Sequence, residues 1–195
     1  MEIIFATGNA NKAKEAGEIL NNTLTVIMPK ELGYTGEIPE TGETLEANSL
    51  EKCNFLWEKF NKTCFADDTG LEVEALNGEP GVYSARYAGL DKSDDANMTK
   101  LLAELAKAGE GASRAAQFRT VVSLIIEGKT HYFEGILEGE ITYEKCGTEG
   151  FGYDPIFKPK GYDKTLAQIS LDEKNKISHR GIAMRKLAEF LNSKY

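Results

Sequence analysis

Ile3-Ile4-Phe5-Ala6-Thr7-Gly8-Asn9-Ala10-Asn11-Lys12 decides how this chain begins to fold. Four consecutive apolar residues, Ile3 to Ala6, have no polar alternation, which is the pattern of a strand buried on both faces. Thr7-Gly8-Asn9 then breaks the run, and Ala13, Ala16, Gly17 and Leu20 recur at helical spacing. The chain therefore opens as a strand, a tight loop and a helix. Gly8 permits the turn, the helix start offers free backbone N–H groups, and Thr7, Asn9 and Lys12 add donors and charge, a set that suits phosphate oxygens. An ordinary strand-to-helix turn with Asn9 as cap fits the same residues. Neither Gly-x-x-x-x-Gly-Lys-Ser/Thr nor Gly-x-Gly-x-x-Gly occurs, which argues against a P-loop NTPase and a Rossmann dehydrogenase.

Downstream, Thr44 to Phe60 reads as a second helix, with Leu45, Ser49, Cys53, Trp57 and Phe60 on its packing face and Asn48 and Lys52 together on another. Thr63 to Asp67 reads as a strand ending in Asp67-Asp68-Thr69-Gly70, and Ser93 to Ala108 as a third helix with Met98, Leu101, Leu102 and Leu105 inward. Phe118 to Ile126 and Thr130 to Leu137 form two long strands around Glu127-Gly128, a hairpin signal. After the glycine-rich stretch Gly147 to Asp154, a last helix runs from Ser178, its N-cap, to Ser193. The pattern is α/β with an antiparallel extension.

With 195 residues, no repeats and no Pro/Ser-rich linker, one domain is expected across 1–195, with room for two lobes. There are 31 acidic and 23 basic residues, a net charge of −8, which disfavours a general hold on long nucleic acid and requires a local cluster of cations for any anionic ligand. Cys53, Cys64 and Cys146 form an odd set without CxxC spacing, so neither a disulfide framework nor a zinc site is suggested. The start has no basic leader, and the longest apolar run, Val121 to Ile126 with one serine, falls far short of the ~20 residues of a membrane span. A soluble, unsecreted, cytoplasmic protein is the reading.

Four segments carry chemistry. Besides the Thr7 loop, Asp67 and Asp68 are adjacent on a strand, so their carboxylates face opposite sides and do different jobs, one serving metal or water and the other holding structure. Mg2+ takes few protein carboxylates when substrate phosphates supply the rest, and Glu40 in Pro39-Glu40-Thr41-Gly42 is the second candidate ligand, with a solvated turn as the plainer account of it. Gly150-Phe151-Gly152-Tyr153-Asp154-Pro155 offers aromatic rings to a purine face, or else forms a buried turn with packed rings. Lys174 precedes Ile177-Ser178-His179-Arg180-Gly181. Two cations in the first helical turn oppose the macrodipole at ~0.3–1 kcal/mol each, which an anionic or carbonyl-rich ligand would offset, while an outward surface pair is the alternative. His131 has no acidic or nucleophilic companion nearby and reads as structural.

Taken together, Thr7 to Lys12, Glu40-Thr41-Gly42, Ala66-Asp67-Asp68-Thr69-Gly70-Leu71, Pro80-Gly81-Val82-Tyr83-Ser84-Ala85-Arg86-Tyr87, Gly150 to Phe157 and Ser178-His179-Arg180-Gly181 resemble the inosine/xanthosine triphosphate pyrophosphatases, the Ham1 family, over nearly the whole chain. The resemblance implies an elongated mixed sheet flanked by helices with a long central substrate cleft. It implies a homodimer that cleaves non-standard purine nucleoside triphosphates (ITP, dITP, XTP) to monophosphate and pyrophosphate. It further implies triphosphate contacts from Thr7, Gly8, Asn9, Ala10, Asn11, Lys12 and Lys52, with Thr69 standing where many members have Ser. Asp68 becomes the general base, Asp68 and Glu40 the Mg2+ ligands, and Phe151, Gly152, Tyr153, Asp154, Lys174, His179 and Arg180 the base and sugar pocket. Where the family often reads Phe-x-Glu-Asn-Ala, this chain has Leu45-Glu46-Ala47-Asn48-Ser49, so Ala47 replaces a carboxylate and the neighbouring Glu46 points about 100° away. A pyrophosphatase for modified pyrimidine triphosphates and a catalytically silent nucleotide sensor are the alternatives.

Overall fold

The computed structural model describes residues 2–20 and 24–194, without the side chains of Asn11 and Glu15. In chain order the elements are β1 (Glu2–Phe5), α1 (Ala10–Ile19), β2 (Thr25–Ile27), α2 (Leu45–Phe60), β3 (Cys64–Val73), β4 (Pro80–Gly81), α3 (Asp94–Lys107), β5 (Ala115–Ile126), β6 (Lys129–Ile141), β7 (Phe157–Pro159), α4 (Leu171–Ile177) and α5 (His179–Lys194). The sheet order is β2-β1-β3-β5-β6-β7, with β4 on β3. Strand β1 pairs in parallel with β2 and β3, whereas β3/β4 and β6/β7 are antiparallel, so the fold is mixed α/β. Glu127 and Gly128 both take positive φ, 53° and 73°, the backbone of a tight primed hairpin turn between β5 and β6.

The chain forms two compact units. The first comprises Met1–Asp68, Thr120–Gly135 and Arg180–Tyr195, and the second Thr69–Arg119 and Ile136–His179. In the first, the alternation of strand side chains builds two cores. Ile3, Phe5, Phe65, Val122, Leu124 and Ile126 pack with Ala16 of α1, with Leu20 just past its end, and with Ala183, Met184, Leu187 and Leu191 of α5. Their neighbours Ile4, Ala6, Cys64, Ala66 and Ile125 pack with Cys53 and Leu56 of α2. Both faces are covered by helices, which is why the opening strand has no polar alternation and Ile3, Ile4 and Phe5 are wholly buried. In the second unit, Met98, Leu101 and Leu105 of α3 share one core with Leu71, Val73, Phe118, Ile141 and Phe157.

Two boundaries differ from the sequence expectation in ways that matter. Strand β3 does not end at Asp67 but runs on through Asp68-Thr69-Gly70 to Val73. Gly70 makes this possible, since a Cβ there would lie 2.6 Å from the Gly81 carbonyl oxygen of the paired strand. On α2 the fully buried stripe is Leu45, Ser49, Cys53 and Leu56, while Trp57 and Phe60 are only half-buried. Among the described residues no helix is long and apolar enough to cross a membrane.

Phe5 and Phe65 stack with ring centroids 4.4 Å apart, and both are fully buried. Phe65→Ala is expected to lower unfolding free energy by about 3–5 kcal/mol in urea titrations at unchanged slope, because it removes a buried ring beside another that cannot follow it.

Candidate active site

Helix α2 starts where the Thr44 hydroxyl accepts from the Ala47 amide, which sets Asn48 and Lys52 one turn apart on the same side. The Asn48 side chain accepts from the Gly42 amide at 2.7 Å and donates to Asp68 Oδ2 at 3.1 Å, so one buried amide ties the 40–42 loop to the strand. Lys52 Nζ lies 2.6 Å from Glu40 Oε1 and 3.6 Å from Asp68 Oδ1. From the next position, Glu51 accepts from both the amide (2.6 Å) and the hydroxyl (2.8 Å) of Thr41, bonds that hold its carboxyl below the usual range. Glu46 is half-buried and Ala47 exposed in the first turn of α2, and it is Asn48 that reaches the strand carboxylate.

Because β3 continues past it, Asp67 faces the opposite side from Asp68. Asp67 Oδ2 accepts from Lys12 Nζ and from Arg180 Nε, each at 3.1 Å. Burial pushes this carboxyl up, but Lys12, Arg180 and Lys52 outweigh it and hold the group well below the carboxylate range. Asp68 goes the other way. Burial is the largest cause, opposed by Lys52 and the Asn48 hydrogen bond and reinforced by Glu40 and Asp67, and its pKa is pushed up to about 6. The two faces thus carry opposite imbalances. On the Asp67 side two cations meet one carboxylate; on the Asp68 side two carboxylates, Asp68 and Glu40, share one ammonium. The first suits an anion and the second a further cation.

A divalent ion fits that donor set. Glu40 and Asp68 are hard oxygen donors that already converge on a positive group. Among the described residues no three His, Cys, Asp or Glu side chains group to hold a metal by themselves, so an ion here draws its remaining ligands from water or phosphate.

Thr7 Oγ1 accepts from the Asn9 amide at 3.1 Å, and Asn9 Oδ1 from the Lys12 amide at 3.3 Å, so Asn9 caps α1 and shapes the loop. Gly8 and Ala10 are exposed at that helix start, and the Asn11 side chain lies outside the described residues. Thr69 follows Asp68 on β3 and is half-buried.

The second unit collects the aromatic loop. Phe151 is 64% exposed, with Lys174 Nζ 4.5 Å from its ring centroid. Lys174 ion-pairs with Asp154, whose Oδ2 also accepts from the Phe151 amide at 2.9 Å. Tyr153, by contrast, is 4% exposed and its hydroxyl donates to the Ser84 carbonyl at 2.8 Å. Burial pushes that phenol upward. The sequence offered two aromatics for stacking, and only Phe151 presents its ring. His179 is buried and stacks on Phe118, centroids 4.8 Å apart. Arg180, next in sequence, sits on Asp67 in the first unit, since successive positions at the start of α5 diverge by about 100°. Asn48 and Glu51 are the contacts that sequence reasoning left unassigned. Their signal was positional, at one turn and one residue before Lys52.

The Ham1 family model matches residues 3–190. This chain belongs to the Ham1 family. Similar members include the dITP/XTP pyrophosphatases of Flavobacterium johnsoniae, 49% identical with 99% of each chain covered, and of Bacillus subtilis, 48% identical with 98% of each covered. Among solved structures, the Staphylococcus aureus Ham1 protein superposes with a TM-score of 0.92 at 45% identity over 100% of both chains, and a HAM1 protein from Coxiella burnetii with 0.94 at 36% over 99% of both. The matched span includes both charge-imbalanced faces of β3.

The raised pKa of Asp68 makes a prediction about stability. A carboxyl whose folded pKa exceeds its unfolded value of 3.8 favours the protonated fold, so its contribution is complete below about pH 4 and lost as pH rises through about 6. In metal-free protein, the unfolding free energy of Asp68→Asn relative to wild type should therefore climb by on the order of 1–3 kcal/mol between pH 4 and 7. A difference that stays flat across this range would contradict the raised pKa of Asp68.

Proposed function

We propose that this chain hydrolyses non-standard purine nucleoside triphosphates, ITP, dITP and XTP, to the monophosphate and pyrophosphate. It is a hydrolase of the phosphoanhydride bond between the α- and β-phosphates. The observation that carries this is the opposed charge imbalance at Asp67 and Asp68, which places an anion-seeking face and a cation-seeking face on one strand. Family membership and the dITP/XTP pyrophosphatase relatives support the substrate class.

In this reading Asp68 is the general base. A carboxylate pushed up to about 6 stays ionised at neutral pH yet takes a proton more readily than an ordinary one, and Asn48 fixes its Oδ2. Asp68 accepts a proton from the water that attacks the α-phosphorus, while Lys12 and Lys52, with the loop from Thr7 through Gly8, Asn9, Ala10 and Asn11 and with Thr69, hold the phosphates and neutralise the leaving pyrophosphate. Mg2+ is the ion we assign to Glu40 and Asp68, where it supplies charge neutralisation to phosphate oxygens. Arg180 acts from the Asp67 side, so it belongs with the phosphate cations as much as with the base pocket. Phe151 stacks on the base, Lys174 and Asp154 address its edge, and Gly152, Tyr153 and His179 shape the pocket around them. We assign the working form as a cytoplasmic homodimer; the three free thiols accord with a reducing compartment.

Pyrophosphate release from ITP, XTP, GTP, ATP, UTP and dTTP with Mg2+ tests this reading. Inosine and xanthosine triphosphates are expected to turn over at least ~10-fold faster than the others. Equal rates on all would remove the selectivity, and preference for UTP or dTTP would establish the pyrimidine alternative. Asp68→Asn should lose about 10³-fold or more in kcat while still binding ITP, as removal of a general base with its metal contact demands. A wild-type protein that binds ITP but releases no pyrophosphate would instead be a sensor.

A further inference from the structure

Residues 151–153 each donate a hydrogen bond to a different part of the second unit. The Phe151 amide donates to Asp154 Oδ2 (2.9 Å), the Gly152 amide to Asp94 Oδ2 (2.7 Å), and the Tyr153 hydroxyl to the Ser84 carbonyl (2.8 Å). Gly150 and Gly152 take positive φ, 82° and 63°, so the backbone turns sharply on both sides of Phe151 and gives its exposed ring no support of its own. Asp154 belongs to the same loop and to the Lys174 pair. Asp94 does not. It stands on the first turn of α3, a helix with no part in the site described above.

That helix is a rigid mount. Ser93 caps it by accepting from the Ala96 amide at 3.3 Å, and Met98, Leu101 and Leu105 are buried along it. Buried Asn97 accepts from the Ala88 amide (2.7 Å) and donates to the Ala85 carbonyl (3.2 Å), fastening the chain around Ser84, to which Tyr153 is latched. The same serine accepts from the Leu71 amide at 2.8 Å through its hydroxyl. A carboxylate in the first helical turn is also favoured there by the macrodipole.

We propose that Asp94 is a positioning residue for nucleobase recognition: through the Gly152 amide it fixes the loop that presents Phe151 to the purine. This rests on the reading of Phe151 as the stacking surface. Without the Asp94 carboxylate the loop retains its Asp154 and Ser84 ties but loses the central one, and ordering it becomes a cost of binding the base. The cost falls on recognition and not on the chemical step, which uses Asp68 and the phosphate cations.

The experiment compares wild type with Asp94→Ala, Asp94→Asn and Asp95→Ala. Asp95 is the control: it is the same charge in the same helical turn, but its carboxylate pairs with Lys145 and does not touch the loop. KM for ITP should rise ~10-fold in Asp94→Ala with kcat within about twofold, a factor within reach of one charge-assisted hydrogen bond, and Asp94→Asn, which keeps an acceptor oxygen, should fall between. Asp95→Ala should match wild type. Inhibition by inorganic triphosphate, which has no base, should be the same in all four proteins. An unchanged KM in Asp94→Ala, an equal rise in Asp95→Ala, or equally weakened triphosphate inhibition would overturn the proposal. If Asp94→Ala fails to fold by circular dichroism, Asp94→Asn decides on the same criteria. If the wild type releases no pyrophosphate, the enzyme reading falls, and calorimetric titration with inosine monophosphate judges Asp94 alone: ~10-fold weaker binding in Asp94→Ala sustains it, and unaltered or absent binding rejects it.

Discussion

Two carboxylates placed side by side in the middle of a strand with helices on both faces are the constraint on which the first unit is organised. Each ion costs several kcal/mol to take out of water, and two adjacent ones repel. The strand's period of two resolves the conflict by sending them to opposite faces, where different helices supply the cations: α1 and α5 give Lys12 and Arg180 to Asp67, and α2 gives Lys52 to Asp68. The cores follow the same division. The α1 and α5 side chains pack on the Phe5 and Phe65 face, and those of α2 pack on the Ile4 and Ala66 face. Charge and packing thus use one alternation, and a one-residue slip of β3 would exchange both at once.

The division is deliberately uneven in its effect. Asp67 is oversupplied with cations, which hold its carboxyl well below the usual range, and this suits a structural anchor for the partly buried Lys12 and Arg180. Asp68 shares Lys52 with Glu40, and burial above all, reinforced by Glu40 and Asp67, leaves it a carboxylate of raised basicity, fixed at one oxygen by Asn48. In the proposed reading, the two orientations of one dipeptide give an anion holder and a base without a second loop. Asn48 and Glu51 explain how Glu40, on an irregular segment, keeps its place, since the Gly42 amide and both polar groups of Thr41 are bound to α2.

Much of this was legible in the residues. The unbroken Ile3 to Ala6 run required cover on both sides, the Glu127-Gly128 turn required a hairpin, and the adjacency of Asp67 and Asp68 required opposed roles in any strand. Less legible was the length of β3. Asp and Gly are poor strand residues, so the local pattern ends the strand at Asp67, and only the close approach of Gly81 to Gly70 carries it onward. Strands of two or three residues such as β2, β4 and β7 contain too few alternations to be seen. The grouping of Arg180 with Asp67 is a long-range contact with no local signal. Phe151 and Tyr153 lie two apart in similar surroundings, and which ring is buried was decided by the Ser84 carbonyl and the core around it.

The Lys174 and Asp154 pair bears on why adenosine would be refused in the proposed reading. A 6-oxopurine presents an acceptor at position 6 and a donor at N1, and adenine presents the reverse. An ammonium and a carboxylate held together form a donor beside an acceptor, the complement of the first edge and a mismatch at both points for the second. Each buried mismatch leaves a charged group without its partner, so the penalty is larger than the gain from any single matched bond. Guanine shares the 6-oxo edge with hypoxanthine and passes this filter. Rejection of guanosine must therefore act at the 2-position through other residues, which makes the two discriminations separable: changes at Lys174 or Asp154 alter the adenosine ratio and leave the guanosine ratio to be set elsewhere.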